Sequence, residues 1–163
     1  MRVIATALML LAACAPMQSS TSSPAVGATV IPGIEVFLAD VPQALRGKRV
    51  GLITNHSGID RARTTDIDLI AQHRDVKLVA LLAPEHGIRG TTMDGERIPD
   101  EVDPRTGIPI YSLYLSEDRG PTLAMLKDVD VLVYDLQEVG GRTWTYVSTD
   151  CTRHQRQMGV VDL

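Results

Sequence analysis

Pro84-Glu85-His86-Gly87 closes the apolar run Lys77-Leu78-Val79-Ala80-Leu81-Leu82 and sets a carboxylate beside an imidazole where a strand should end. Ligands in open α/β sheets gather just beyond the carboxyl ends of the strands, which makes Glu85 the leading catalytic candidate, with His86 next to it. Other polar groups fall at comparable places: Asn55 in Thr54-Asn55-His56-Ser57-Gly58, Asp135 and Gln137 after a second apolar run, and Arg142 after Gly140-Gly141. Arg89, Glu96, Asp103 and Arg105 lie in a polar connection over residues 87–107, and so long a connection inside a compact domain is usually functional.

This mixture suits a hydroxyl-rich ligand that carries an acid. Asp, Asn and Gln hydrogen-bond hydroxyls, while Arg grips a carboxylate through two N–H groups. A sugar acid meets both demands. Hydrolysing a glycoside needs a carboxylic acid of raised pKa at the glycosidic oxygen, and usually a second carboxylate at the anomeric face. Each residue also has a structural use: Glu85 or Asp135 as a cap, Asn55 in a turn, Arg142 as an ion-pair partner of Asp135, Trp144 and Tyr146 as core aromatics.

Several chemistries lose their sequence support. A GxGxxG or GxxxxGK[ST] loop, a GxSxG elbow and an HExxH helix are all missing, and His56, His73, His86 and His154 show no metal-ligand spacing. The net charge of −4, the dispersed arginines and 4% aromatic residues do not describe a nucleic-acid binder.

The elements that must position these groups follow from the apolar pattern. Residues 33–47 form a partly helical opening, 48–53 a strand, 64–73 a helix with Asp66 and Asp68 in its first turn, and 76–82 a second strand. Strand, helix and strand make a βαβ unit with a right-handed crossover, which places the loops 54–58 and 83–87 at one sheet edge. A third short strand over 108–113, a helix over 121–127 and a buried strand over 129–136 complete the pattern. The expected fold is α/β, a Rossmann-like parallel sheet flanked by helices. Residues 150–163 read as a polar, aperiodic tail, so the sheet is expected to be incomplete and the chain truncated.

Met1-Arg2, the apolar stretch 3–11 and Leu11-Ala12-Ala13-Cys14 resemble a bacterial lipoprotein signal over residues 1–14, with Cys14 as the lipidated residue after cleavage. The apolar stretch is too short to span a bilayer. Residues 15–32 read as a Ser/Thr/Pro-rich tether and 33–163 as the partial catalytic domain. Cys151 is then left without an intrachain disulfide partner.

The motifs Val50-Gly51-Leu52-Ile53-Thr54-Asn55, Pro84-Glu85-His86-Gly87-Ile88-Arg89-Gly90, Gly95-Glu96, Asp103-Pro104-Arg105-Thr106-Gly107-Ile108-Pro109 and Asp130-Val131-Leu132-Val133-Tyr134-Asp135-Leu136-Gln137, with Gly141-Arg142 and Thr145-Tyr146, resemble the bacterial exo-β-N-acetylmuramidases of peptidoglycan recycling. The resemblance runs from about residue 33 to 149. It implies a Rossmann-like domain that removes N-acetylmuramic acid from the non-reducing ends of peptidoglycan fragments with no nucleotide or metal cofactor. It sets Glu85 on the glutamate to which the family's catalysis is assigned, with His86 beside it. It puts Asn55, Arg89, Glu96, Asp135, Gln137, Arg142 and Tyr146 in the substrate cleft, where an arginine would grip the lactyl carboxylate; Asp103 and Arg105 are expected there from their residue types. Relatives continue through a second domain, so an incomplete pocket would leave this short chain inactive. The competing expectation is a wall-binding lipoprotein that holds a muropeptide without cleaving it. Periplasmic or cell-surface location on a lipid anchor suits either.

Overall fold

The computed structural model describes residues 29–84, 86–90, 101–113, 120–137 and 159–163. Helix α1 spans Gly33–Ala39 and α2 spans Asp66–Gln72; the strands are β1 Arg49–Thr54, β2 Lys77–Ala83, β3 Glu101–Val102, β4 Pro109–Ser112, β5 Val131–Asp135 and β6 Gly159–Asp162. They form one sheet in the order β3-β4-β2-β1-β5-β6. All pairings are parallel except that of β3 with β4.

Strand β1 is central, and every residue after Arg49 is buried. Successive side chains point to opposite faces, so a strand covered on both sides must be apolar nearly throughout. Val50 and Leu52 pack with Ile67 and Ile70 of α2 and Ile34 and Phe37 of α1 on one face. Ile53 packs on the other with Leu82, Leu126, Val129 and Leu132. The β1–β2 register slips between Val50 and Gly51, which pair with Leu78 and Ala80, so Val79 is an inserted residue that puts Val79 and Ala80 on one face.

Helix α2 starts at Thr65, whose side chain accepts from the Asp68 N–H, and carries Asp66 and Asp68 in its first turn. The expected βαβ unit is therefore present. Three other expectations are corrected. The expected helix over 121–127 is not formed: residues 123–128 make consecutive turns, because Leu126 and Val129 reach the sheet while Leu123 stays 70% exposed, and no continuous apolar helix face is buried. The polar connection before β4 includes β3, which makes the sheet mixed. The expected aperiodic tail contains β6, where Gly159-Val160-Val161-Asp162 pairs with Val131 to Tyr134; four residues with two β-branched side chains carry a weak local signal, and the free edge of β5 supplies the pairing.

Candidate active site

The chain moves outward from β1 to β2 and β4, then returns to place β5 on the opposite side of β1. The reversal point of a parallel sheet leaves a crevice beyond the strands' carboxyl ends. Here it lies past Thr54 and Asp135, which are register partners. A cavity of about 450 Å³ occupies this position, with Ser57, Asp135 and Gln137 as its polar wall and Pro32, Ile34 and Leu136 among its apolar neighbours. The start of α1 covers one side and is tied down by Glu35, which accepts from the Arg61 backbone N–H and side-chain Nε at 2.9 Å each.

Alternation along β1 and β5 turns Thr54 and Asp135 towards the face that α2 covers, as it does Leu52 and Val133. At the first helical position of α2, the fully buried Asp66 meets them. The Thr54 hydroxyl donates to Asp66 Oδ2, and the Ile67 N–H donates to Asp66 Oδ1 at 2.7 Å. Burial pushes the Asp66 carboxyl up to about 8; Thr54 opposes this and the neighbouring Asp135 charge adds to it. Burial also raises Asp135, and the neighbouring Asp66 side chain works against that rise. Gly58 leaves room for this arrangement: a Cβ there would collide with Asp66 Oδ2 and lie 2.6 Å from Thr54 Oγ1.

Asn55 is 3% exposed and shapes the loop after β1. Its Oδ1 accepts from Ser57 N at 2.8 Å and Ser57 Oγ at 2.6 Å, and Ser57 Oγ in turn accepts from Gln137 N at 3.2 Å. Asn55 therefore acts on the cavity through Ser57, while Asp135 and Gln137 line it directly.

Arg89, Asp103 and Arg105 come together, but not at that cavity. Asp103, fully buried, accepts from Arg89 Nη2 at 2.9 and 3.1 Å, Arg89 Nε at 3.2 Å, Thr106 Oγ1 at 2.8 Å and Thr106 N at 3.1 Å. Burial pulls its carboxyl upward, yet the bonds from Thr106 and Arg89 outweigh that and leave it below the usual carboxylate range. Buried Asp68 of α2 joins the cluster, 2.9 Å from Arg105 Nη1 and 3.5 Å from Arg89 Nη2. These contacts fasten the segment before β4 to α2 and the turn after β2.

His86 adopts a positive φ of 71°, followed by Gly87 at 73°, so two consecutive left-handed residues turn the chain after β2. A non-glycine residue there is uncommon and concentrates at functional sites. Glu85, Glu96, Arg142, Tyr146 and Cys14 lie outside the described residues. Residue types alone did not single out Thr54, Ser57, Asp66 and Asp68. An acidic first helical turn already has a sufficient local explanation, so the position of Asp66 against Asp135 carried no separate signal.

Fold and site together define an α/β domain with a mixed sheet, whose switch-point crevice is lined by hydroxyl, amide and carboxyl groups. The comparisons narrow that class. The chain belongs to the family described as exo-beta-N-acetylmuramidase NamZ, N-terminal, whose model matches residues 50–161 and so extends past Thr149 into β6. It is 44% identical over 117 residues to the peptidoglycan beta-N-acetylmuramidase NamZ of Bacillus subtilis (strain 168), a match covering 72% of this chain and 28% of that protein. Crystal structures of two DUF1343 family proteins from Bacteroides fragilis NCTC 9343 are similar. One has a TM-score of 0.70 and 41% identity over 82% of this chain and 34% of its own; the other has a TM-score of 0.63 and 31% identity over 83% and 35%. The chain thus spans about a third or less of the length of these relatives.

Proposed function

We propose that this chain is the exported N-terminal catalytic part of a glycosidase that removes N-acetylmuramic acid from the non-reducing ends of peptidoglycan fragments during cell-wall recycling. The observation that carries this reading is the family match over residues 50–161, which takes in Glu85, His86 and the strand ends around the crevice. The B. subtilis relative's name supplies the sugar and the bond class. The cavity supports it with Ser57, Asp135 and Gln137 beside apolar surface, the pairing a pyranose ring with hydroxyl edges requires.

In this reading Glu85 protonates the glycosidic oxygen, and Asp135 and Gln137 hold ring hydroxyls. Arg89 and Arg105 are already engaged by Asp68 and Asp103, which leaves the lactyl carboxylate to Arg142. Purified chain incubated with a chromogenic β-N-acetylmuramide is expected to release the chromophore, and Glu85→Gln to lose at least 100-fold, on the scale of general acid catalysis at about 10²–10⁴. Saturable binding of the sugar with no release by the wild-type chain would instead establish a wall-binding protein. Export rests on residues 1–14: incorporation of labelled fatty acid, abolished by Cys14→Ser, is the expected result, and unlabelled wild type would refute the lipid anchor.

A further inference from the structure

We propose that His56 is a positioning residue for the turn that carries Glu85: its side chain, packed on Gly90, ties that turn to the loop that shapes the cavity wall. The effect on catalysis rests on the role given to Glu85 above; the packing does not.

The contact is visible as a glycine with no room for a side chain. A Cβ at Gly90 would lie 2.6 Å from His56 Nδ1, 2.8 Å from Cγ and 3.1 Å from Cβ, so the imidazole and its stem already fill that space. Gly90 also has a φ of 65°, in the left-handed region that favours glycine. His56 itself is exposed, and no hydrogen bond holds its ring among the described residues, so packing is what the side chain contributes.

Both partners sit on short hydrogen-bonded turns. The Gly58 N–H donates to the Asn55 carbonyl at 3.1 Å and sets His56 and Ser57 at the centre of the turn after β1. Asn55 holds Ser57 at the cavity, which leaves His56 to meet the loop of the neighbouring strand. In that loop the Gly87 N–H donates to the Pro84 carbonyl at 3.2 Å and the Gly90 N–H to the Gly87 carbonyl at 3.3 Å. Two turns in succession thus lead from the end of β2 to Gly90, with His86 and Gly87 both at positive φ.

The same segment is anchored twice more: Ile88 is buried in the core with α1 and α2, and Arg89 bonds Asp103 and pairs with Asp68. Those anchors run to the helices and to the segment before β4. His56 comes from the β1 side, so it is the contact that fixes the turn relative to Ser57 and the cavity. Removing its ring leaves the bonds among Asn55, Ser57 and Gln137 in place, and substrate affinity with them. What shifts is the turn, and a misplacement of about 1 Å can cost about 10²-fold in rate.

With the chromogenic β-N-acetylmuramide, His56→Ala is expected to lower kcat at least tenfold and to hold KM within about threefold of wild type. His56→Phe keeps a ring of similar reach without ring nitrogens, and should restore kcat to within about threefold. An unchanged kcat in His56→Ala would overturn the proposal, and so would a His56→Phe as slow as the alanine variant, which would give the imidazole nitrogens a chemical role instead. Gly90→Ala sets a methyl group against the imidazole; it should lower kcat at least tenfold in the wild-type background and less than about threefold when added to His56→Ala. The strain of a positive φ is common to both backgrounds and cancels in the comparison, so equal losses would overturn the contact.

Amide nitrogen-15 NMR of the substrate-free chain reads the coupling without catalysis. In His56→Ala the His86 and Gly87 signals should shift together with that of Gly90; a change confined to Gly90 would overturn the coupling. A wild-type chain that releases no chromophore refutes the hydrolase reading alone, and the NMR comparison still decides whether His56 holds the turn.

Discussion

Replacing Asp103 with alanine tests whether the cluster with Arg89 is a structural clasp or a substrate clamp. The substitution removes an acceptor whose side chain is 1% exposed and which binds Arg89 Nη2 at 2.9 Å and Thr106 Oγ1 at 2.8 Å. It leaves the partly buried Arg89 guanidinium with Asp68 at 3.5 Å as its remaining ion-pair partner among the described residues. Breaking a buried pair by removing one partner costs about 3–5 kcal/mol, and Asp68 offsets part of that here, so about 3 kcal/mol is expected. For a chain of this size that corresponds to a fall in Tm of about 6–12 °C. The pH dependence has a defined sign: Asp103 titrates lower in the folded chain than in the unfolded one, so its contribution is present above the unfolded pKa and is lost as pH falls through the folded one. Thermal unfolding followed by circular dichroism should show the full gap from wild type at pH 7 and a narrowing gap below about pH 4. A Tm within about 2 °C of wild type at pH 7, accompanied by a raised KM, would refute the clasp and restore Asp103 to the ligand site.

Two further outcomes follow from the loop after β1. Asn55→Ala should lower stability by about 1 kcal/mol through loss of the Ser57 contacts and raise KM, because Ser57 no longer holds the Gln137 backbone; denaturant unfolding and steady-state kinetics measure the two effects, and an unchanged KM would remove Asn55 from the site. Gly58→Ala should be more disruptive, about 2 kcal/mol or above, because its Cβ meets Asp66 and Thr54 inside a packed cluster; urea midpoints matching wild type would show that this cluster is loosely packed.

Strands β1, β2 and β5 were legible because burial on both sheet faces demands long apolar runs, a local property. The residues at their ends were legible for the same reason, since a strand's end fixes where its loop begins. The helix expected over 121–127 does not form because Leu123, Met125 and Leu126 suggest a helix only if all three are buried, and the sheet accepts Leu126 while leaving Leu123 in solvent. Strand β6 was missed because its formation depends on the edge that β5 provides.

Sequence alone determined the α/β class, the crossover from β1 to β2, the family resemblance and the set of polar residues at the strand ends. Tertiary structure decided which of those residues share a site. It placed β5 beside β1 and so brought Asp135 to Thr54, and it drew Arg89, Asp103 and Arg105 together around Asp68 instead of the cavity. The physical reason is that a charged group's role depends on what lies within a few ångströms of it after burial. Asp66 reads as an ordinary acidic first helical turn until the fold buries it against Thr54, and burial then pushes its carboxyl up to about 8.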